Sequence, residues 1–174
     1  MSGQNPLRRV ESVRIRFASA RDLSALVNLI NAAFVVERTI FEGDRVDERG
    51  TREFLEKGKF LIAEDSLEIA GCVYCELRGD RGYLGLLAVN PPRQGTGLGR
   101  MLVAAAEDYF QAEGCSTVDL RIISPRTPLP PFYRRLGYSE IDTAPFSPTL
   151  HAKVPGHYIL MSKRLASPGV RTKK

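Results

Sequence analysis

The stretch that most constrains the fold is an apolar strand followed by a loop of alternating glycines and an amphipathic helix. Residues 84–89 form an apolar run typical of a buried strand, and Asn90-Pro91-Pro92 ends it because proline lacks the amide that a sheet ladder needs. From Leu98 to about Glu113, apolar residues recur at helical spacing. The connection reads Arg93-Gln94-Gly95-Thr96-Gly97-Leu98-Gly99. We therefore expect a strand–loop–helix unit.

The loop is suited to binding a diphosphate. Amides in the first turn of a helix have no intrahelical partner and carry partial positive charge, and glycines let a ligand approach them closely. Arg93 and Arg100 add cationic charge on either side. The loop matches neither a nucleotide-hydrolase P-loop, which needs Lys-Ser or Lys-Thr, nor the dinucleotide pattern G-x-G-x-x-G. A glycine-rich turn without a ligand is the structural alternative.

Two segments carry a resemblance to a known family. Gln94-Gly95-Thr96-Gly97-Leu98-Gly99 resembles the Q/R-x-x-G-x-G/A signature of the GNAT superfamily of acetyl-CoA-dependent N-acyltransferases. Leu87-Ala88-Val89 is similar to the strand end that precedes this signature in the family. The second segment, Pro131 to Tyr138, resembles the family's Y-x-x-L-G-F segment with tyrosine in place of phenylalanine. The resemblance covers roughly residues 13–165.

The order of strands and helices predicts an α/β (α+β) sandwich around one central sheet of about seven strands, with helices on both faces. The resemblance implies a single, mostly antiparallel sheet, splayed between strands 4 and 5. It also implies that the pantetheine arm of acetyl-CoA lies in the gap beside strand 4 and the diphosphate lies on the loop. The cofactor-binding residues expected on this basis are Leu87, Ala88, Val89, Arg93, Gln94, Gly95, Thr96, Gly97, Leu98, Gly99 and Arg100.

Tyr133 occupies the position of the family's tyrosine. Transfer of an acyl group from a thioester to an amine expels a thiolate, which a phenol with a pKa of about 10 can protonate. We therefore expect Tyr133 to be the general acid, with a packing role as the alternative. Seven residues earlier the family often has an asparagine, and here Arg126 either reaches a cofactor phosphate or is solvated. A backbone amide of Ala88 or Val89 is expected to stabilise the oxyanion.

The general base is less defined, because residues 83–89 contain no carboxylate where many family members have a glutamate. Glu37, after the first predicted helix, is the candidate base, and Glu76, on the third predicted strand, is an alternative in the acceptor site. His157, and less so His151, lies in the C-terminal region that walls the acceptor site in the family. A lone histidine is more often structural, and an ordered water is the further alternative to a dedicated base.

Composition and spacing argue against several other functions. No apolar run approaches the ~20 residues of a membrane span, and no secretory segment is evident, so we expect a cytoplasmic protein that does not enter a membrane. Cys72 and Cys75 lie on opposite sides of one predicted strand, which argues against a metal site. The net charge of +5 owes much to basic residues near both ends, without interleaved aromatic residues, so no nucleic acid is expected.

We divide the chain into a flexible arm (1–11), an N-acetyltransferase domain (12–165) and a basic tail (166–174). The expected function is transfer of an acetyl group from acetyl-CoA to a primary amine, by direct attack in a ternary complex and without a metal. The acceptor is expected to be a small or amino-acid-like molecule. The alternative is a non-catalytic module that binds and senses acetyl-CoA. Family members are often dimers, so the resemblance also implies a homodimer.

Overall fold

A computed structural model gives the fold of residues 12–66 and 68–167. The predicted arm (1–11) and residues 168–174 of the predicted tail lie outside the described residues. The strands within the described part are β1 (Arg14–Phe17), β2 (Lys59–Glu64), β3 (Ile69–Arg78), β4 (Arg81–Val89), β5 (Thr117–Ile123), β6 (Ser139–Pro145) and β7 (His157–Arg164). The α-helices are α1 (Leu23–Ala33), α2 (Glu48–Lys57), α3 (Leu98–Ala112) and α4 (Leu129–Arg135).

The strands form one sheet in the order β1-β2-β3-β4-β5-β7-β6. Neighbouring strands are antiparallel except β4 and β5, which are parallel. Apolar residues of α1 and α2 pack on one face of the sheet, and those of α3 and α4 pack on the other. The predicted fold class is therefore confirmed: a mostly antiparallel sheet of seven strands with helices on both faces.

Two apolar cores hold these layers together. Leu26 and Ile30 of α1 are fully buried in the first core, beside Phe60 of β2. Leu102 and Phe110 of α3 are fully buried in the second core, on the opposite face. The ring of Phe110 lies against Gly82 so closely that a Cβ on this glycine would be 2.4 Å from Phe110 Cγ. Glycine at this point lets α3 pack directly on the backbone of β4.

The helix ends follow from local sequence signals. Asp47 caps α2, its Oδ1 accepting a hydrogen bond of 2.7 Å from the amide of Gly50. The helix that contains Tyr133 begins at Leu129, two residues before the motif-like segment that starts at Pro131. Pro130 and Pro131 therefore lie in its first turn, where a missing amide breaks no helical hydrogen bond.

Candidate active site

The central sheet opens between β4 and β5. Among the described residues these strands pair at three positions, joining Arg81–Tyr83 to Thr117–Asp119. Beyond this point β5 continues to pair with β7 as far as Ile123, whereas β4 runs on alone at this edge to Val89. The gap belongs to a cleft of ≈ 1330 Å³. This volume exceeds the roughly 300–1,000 Å³ of an ordinary small-ligand pocket.

A β-bulge in β4 lies beside this opening. Cys72 pairs with Ala88 and Tyr74 with Gly85, so Leu86 and Leu87 of β4 together face one residue of β3. Leu86 has a φ of +46°, an unusual conformation for a branched side chain. The extra residue reverses the alternation of the strand: Leu84 packs in the core of α3, but Leu86 packs in the core of α1.

The backbone of Val89 faces the cleft. The amide of Asn90 donates a hydrogen bond of 2.8 Å to Ala70 of β3. Backbone groups alternate in direction along a strand, so those of Val89 point away from β3, and those of Ala88 point toward it. The carbonyl of Val89 agrees with this direction, since it accepts a hydrogen bond of 3.1 Å from Gln94 Nε2 of the glycine-rich loop. The opened edge of β4 thus has polar backbone groups available to an extended ligand.

The glycine-rich loop leads directly into α3. Gly95 and Gly97 have φ values of +76° and +90°, and a Cβ on either would meet no described atom within 4 Å. Gly97 is the N-cap of α3, and the first intrahelical bond runs from Met101 N to Gly97 O at 3.1 Å. The amides of residues 98–100 therefore lie ahead of this bond at the open end of the helix. This arrangement is a cradle for a phosphate group.

Side chains fix the loop to the turn between β2 and β3. Arg93 Nη1 donates a hydrogen bond of 2.6 Å to Asp65 Oδ2, and Thr96 Oγ1 donates one of 2.6 Å to Arg93 O. The charge of Arg93 is therefore balanced by a carboxylate within the protein. Arg100, in the first turn of α3, lines the cleft and has no ion pair within the described part of the chain. It is the better placed of the two predicted arginines to bind a ligand anion.

Tyr133 is 6% exposed and lines the cleft. Its Oη has no hydrogen-bond partner among the described residues. Every fully buried side-chain polar atom in that part of the chain has a partner, so Oη is not fully buried. The hydroxyl therefore reaches the surface of the cleft. Burial raises the pKa of Tyr133 well above the ordinary 10, so the phenol is protonated at neutral pH. It can donate a proton to a group in the cleft.

Glu37 lies in a 3₁₀ turn after α1, is 7% exposed and lines the cleft. Arg126 Nη1 donates a hydrogen bond of 3.2 Å to its Oε1, and Arg45 Nε lies 3.9 Å from its Oε2. Burial raises the pKa of Glu37, and the two arginines oppose this effect. Arg126 thus pairs with Glu37. From the sequence, only a cofactor phosphate or solvent was considered as the partner of Arg126.

Glu76 of β3 also lines the cleft, but its carboxylate is held by neighbours. It accepts hydrogen bonds of 2.7 Å from Arg78 Nε and 2.8 Å from Tyr74 Oη. The hydrogen bond from Arg78 is the main reason that the pKa of Glu76 is lowered. Sequence analysis missed Tyr74, although it alternates with Glu76 on β3 and therefore had to share its face.

The predicted acceptor-site histidine is not brought to the cleft. The described residues that line the cleft include neither His151 nor His157. His157 is exposed, and its backbone amide donates a hydrogen bond of 3.0 Å to Ser124 Oγ. Tyr158, the next residue, lines the cleft instead. A strand residue and its successor point to opposite faces, so a single step in register decides which of the two reaches the site.

Metal-ligand geometry is absent from residues 12–66 and 68–167, where no three His, Cys, Asp or Glu side chains cluster. Cys72 and Cys75 are buried in different cores on opposite faces of the sheet. Burial raises the pKa of the Cys75 thiol to about 12 and raises that of Cys72 further. In this part of the chain, no helix has the length and apolar character needed to span a bilayer.

A model of the acetyltransferase (GNAT) family matches residues 23–138. A mycothiol acetyltransferase of Saccharopolyspora erythraea is 28% identical over 131 residues, which are 73% of this chain and 43% of that protein. A mycothiol acetyltransferase of Clavibacter michiganensis subsp. michiganensis is 29% identical over 96 residues, covering 55% of this chain and 31% of that protein. The chain spans less than half the length of these curated relatives.

Solved structures share the fold. The ribosomal-protein-S18-alanine N-acetyltransferase of Escherichia coli superposes with a TM-score of 0.72 at 18% identity, covering 94% of this chain and 100% of that one. The structure of yncA from Salmonella typhimurium with its cofactor acetyl-CoA superposes with a TM-score of 0.69 at 20% identity, covering 88% of this chain and 94% of that one.

Proposed function

Because the chain belongs to the acetyltransferase (GNAT) family, we propose that it transfers an acetyl group from acetyl-CoA to the primary amine of a small, amino-acid-like acceptor. The amine attacks the thioester directly in a ternary complex: a C–N bond forms, the C–S bond breaks and CoA leaves as the thiol. One observation carries the proposal. The cleft joins the opened edge of β4, the glycine-rich start of α3 and the hydroxyl of Tyr133, which no described residue hydrogen-bonds.

The loop from Gln94 to Arg100 binds the diphosphate in this proposal. The amides ahead of the first helical bond donate to phosphate oxygens, and the helix dipole adds to the attraction. The open space at Gly95 and Gly97 lets a phosphate approach the backbone. Arg100 contributes charge, while Arg93 holds the loop in place through Asp65.

The opened edge of β4 binds the pantetheine arm and directs it toward the bulge. The amide of Val89 points into the cleft, whereas that of Ala88 points toward β3. This direction favours Val89 over Ala88 as the amide that donates to the oxyanion of the tetrahedral intermediate. β4 keeps this edge free because it parts from β5 after Tyr83.

Tyr133 protonates the leaving thiolate as the C–S bond breaks. Its raised pKa keeps the phenol protonated at neutral pH, so the hydroxyl is available as the proton donor when the thiolate forms. Glu37 is the proposed base that takes a proton from the attacking amine, directly or through a water. The raised pKa of Glu37 makes it a stronger base than Glu76, whose pKa is lowered by Arg78.

Two segments, which we call the roof, cover the acceptor end of the cleft: residues 35–46 and residues 146–156. Phe41 and Ala152 form a β-bridge across them, and Lys153 N donates a hydrogen bond of 2.7 Å to Ile40 O. The ring of Phe41 packs on Phe146 at 5.1 Å. Joined segments over this end leave less room for a bulky acceptor than an open face would, so the roof favours a small amine.

The test measures binding and turnover separately on the purified chain. Calorimetry with acetyl-CoA reports binding, and a thiol-reactive dye reports CoA released in the presence of a library of primary amines. We expect saturable binding, together with amine-dependent thiol release and an acetylated product detected by mass spectrometry. Failure to bind acetyl-CoA at millimolar concentration would contradict the proposal. Binding without turnover of any amine would favour the non-catalytic alternative.

A further inference from the structure

The acceptor half of the cleft has more arginines than carboxylates. This half is formed by the end of α1, the roof, the loop after β5 and side chains of β3, β4, β5 and β7. Among the described residues, five arginines and three carboxylates line it: Arg45, Arg78, Arg81, Arg121 and Arg126, with Glu37, Glu76 and Asp119. An acceptor with several positive charges is disfavoured in such a field, and an acceptor that carries an anion is favoured. An arginine of this half that has no carboxylate partner therefore indicates where an anion binds.

Each of the three carboxylates is already paired within the cleft. Glu76 accepts from Arg78 Nε at 2.7 Å, and Asp119 accepts two hydrogen bonds of 2.6 Å each from Arg81. Glu37 is shared by two arginines, Arg126 at 3.2 Å and Arg45 at 3.9 Å. Four of the five arginines thus have a carboxylate partner within the protein, with Glu37 supplying its single negative charge to two of them.

Arg121 is the fifth arginine, and it has no ion pair within the part of the chain that the structure describes. Its guanidinium carbon lies 4.5 Å from the ring centroid of Tyr158, a contact that positions the group without neutralising it. Stacking leaves the edge of the guanidinium, with its N–H donors, free for a planar anion.

The position of Arg121 on β5 places it at the opening of the sheet. Asp119 is the last β5 residue that pairs with β4, and Arg121 follows two residues later on the same face. The two strands have parted there, and the cleft begins. An anion bound by Arg121 is therefore held at the gap in which the proposed reaction takes place.

We infer that Arg121 binds a carboxylate of the acceptor, so that the acceptors are primary amines that carry a carboxylate, as free amino acids do. The inference rests on the proposed function and specifies its substrate class. A guanidinium binds a carboxylate through paired hydrogen bonds, a geometry that an ammonium does not reproduce. Aromatic side chains such as Phe34, Tyr74 and Tyr83 line the same half and suit an apolar substituent.

The test compares matched amines that differ in the carboxylate. Leucine, phenylalanine and methionine are each assayed against the amine that remains when the carboxylate is removed, and ω-amino acids vary the distance between the two groups. We expect kcat/KM to be at least ~10-fold higher for the best carboxylate-bearing amine than for its counterpart, as one charge-assisted contact provides.

Variants at position 121 assign the preference to the arginine. Arg121→Leu and Arg121→Gln should abolish the preference by lowering kcat/KM for the amino acid and not for the counterpart. Arg164→Leu is the matched control: Arg164 is an exposed arginine on β7, outside the residues that line the cleft, and its loss should leave the preference intact. Circular dichroism and acetyl-CoA affinity confirm that each variant is folded.

Two results would overturn the inference while the proposed function stands. One is wild-type protein that acetylates amines with and without the carboxylate equally well. The other is a folded Arg121 variant that retains the preference. If the wild-type chain neither bound acetyl-CoA nor acetylated any amine, the proposed function would fail and the inference would fail with it.

Discussion

At the scale of single residues, two tyrosines near α4 lie in contact but in different polar environments. The rings of Tyr133 and Tyr138 meet edge to face, with centroids 5.8 Å apart. Tyr138 Oη donates a hydrogen bond of 2.9 Å to Glu107, which also accepts one of 2.8 Å from Lys163. Tyr133 Oη instead faces the cleft and has no partner among the described residues. The two hydroxyls therefore have separable roles.

Tyr133→Phe should lower kcat by about 10²–10⁴-fold, the usual contribution of a general acid, because the thiolate would then leave unprotonated. Acetyl-CoA affinity should be nearly unchanged, since the hydroxyl acts on the leaving group. Tyr138→Phe is the control: it should cost about 1 kcal/mol of unfolding free energy for its lost hydrogen bond, with kcat retained. Steady-state kinetics, calorimetry and thermal unfolding check these outcomes, and equal losses of kcat in both variants would argue against an acid role.

The pKa of Glu37 predicts a particular pH profile. Burial raises this pKa above the ordinary 4.5, and a base works in its deprotonated form, so kcat/KM should fall as the pH drops through the raised value. Arg126→Gln removes a cation that lowers the pKa, so it should move this acid limb to higher pH. Glu37→Gln should lower kcat/KM and abolish the limb. Rates measured from about pH 5 to about pH 8 test this, and a limb unchanged in Glu37→Gln would assign the proton transfer to water or to another group.

At the scale of elements, the start of α3 should distinguish ligand binding from backbone strain. Gly97→Asp places a carboxylate where the diphosphate is proposed to bind, and we expect acetyl-CoA affinity to fall by at least ~100-fold through charge repulsion. Gly79→Asp is the matched control. Gly79 has a φ of +66° in the turn between β3 and β4, and there too a Cβ would meet no described atom within 4 Å.

Both substitutions carry the cost of a side chain at positive φ, which aspartate tolerates better than most residues. Thermal unfolding should therefore report similar losses of stability, whereas calorimetry should report weaker acetyl-CoA binding for Gly97→Asp alone. A Gly97→Asp variant that binds acetyl-CoA as tightly as the Gly79→Asp variant would exclude the loop as the diphosphate site.

Elements with a clear periodicity were predictable from sequence. The alternation from Thr117 to Ile123 gives the bounds of β5, and helical spacing predicts α3 to within one residue at its end. The bulge in β4 was not predictable. Leu86 carries no glycine signal for positive φ, and the apolar run around it suits either face of the sheet. The bulge switches the face to which the following side chains point, and packing against the two cores imposes this switch.

The candidate site also has one part that was predictable from sequence and one part that was not. Residues of the glycine-rich loop are contiguous in sequence, so one motif brings them together. The acceptor half is assembled from distant segments: Glu37 and Arg126 are 89 positions apart, and Arg121 stacks on Tyr158 of another strand. Contacts between such distant residues leave no periodic pattern in the sequence. Sequence therefore indicated Glu37 as a candidate without its partners, and it did not indicate Arg121.

At the scale of the whole molecule, charge should govern how fast acetyl-CoA finds the cleft. Within the part of the chain that the structure describes, eight arginines and three carboxylates line the cleft, and the whole chain has a formal net charge of +5. The phosphates of acetyl-CoA are attracted over a distance that salt shortens to about 10 Å at about 0.1 M ionic strength. Binding contacts made within the cleft are screened much less than this long-range attraction.

We therefore expect the association rate constant for acetyl-CoA to fall by about 10-fold between about 20 mM and about 300 mM salt, with the dissociation rate constant changing much less. S-acetylpantetheine is the matched control, since it keeps the thioester and the arm but has no phosphate, and its association rate should not depend on salt. Stopped-flow fluorescence with both ligands measures the two rate constants. A salt-independent association rate for acetyl-CoA would mean that the charge of the cleft does not steer its phosphates, and that the arginines act on them only at contact distance.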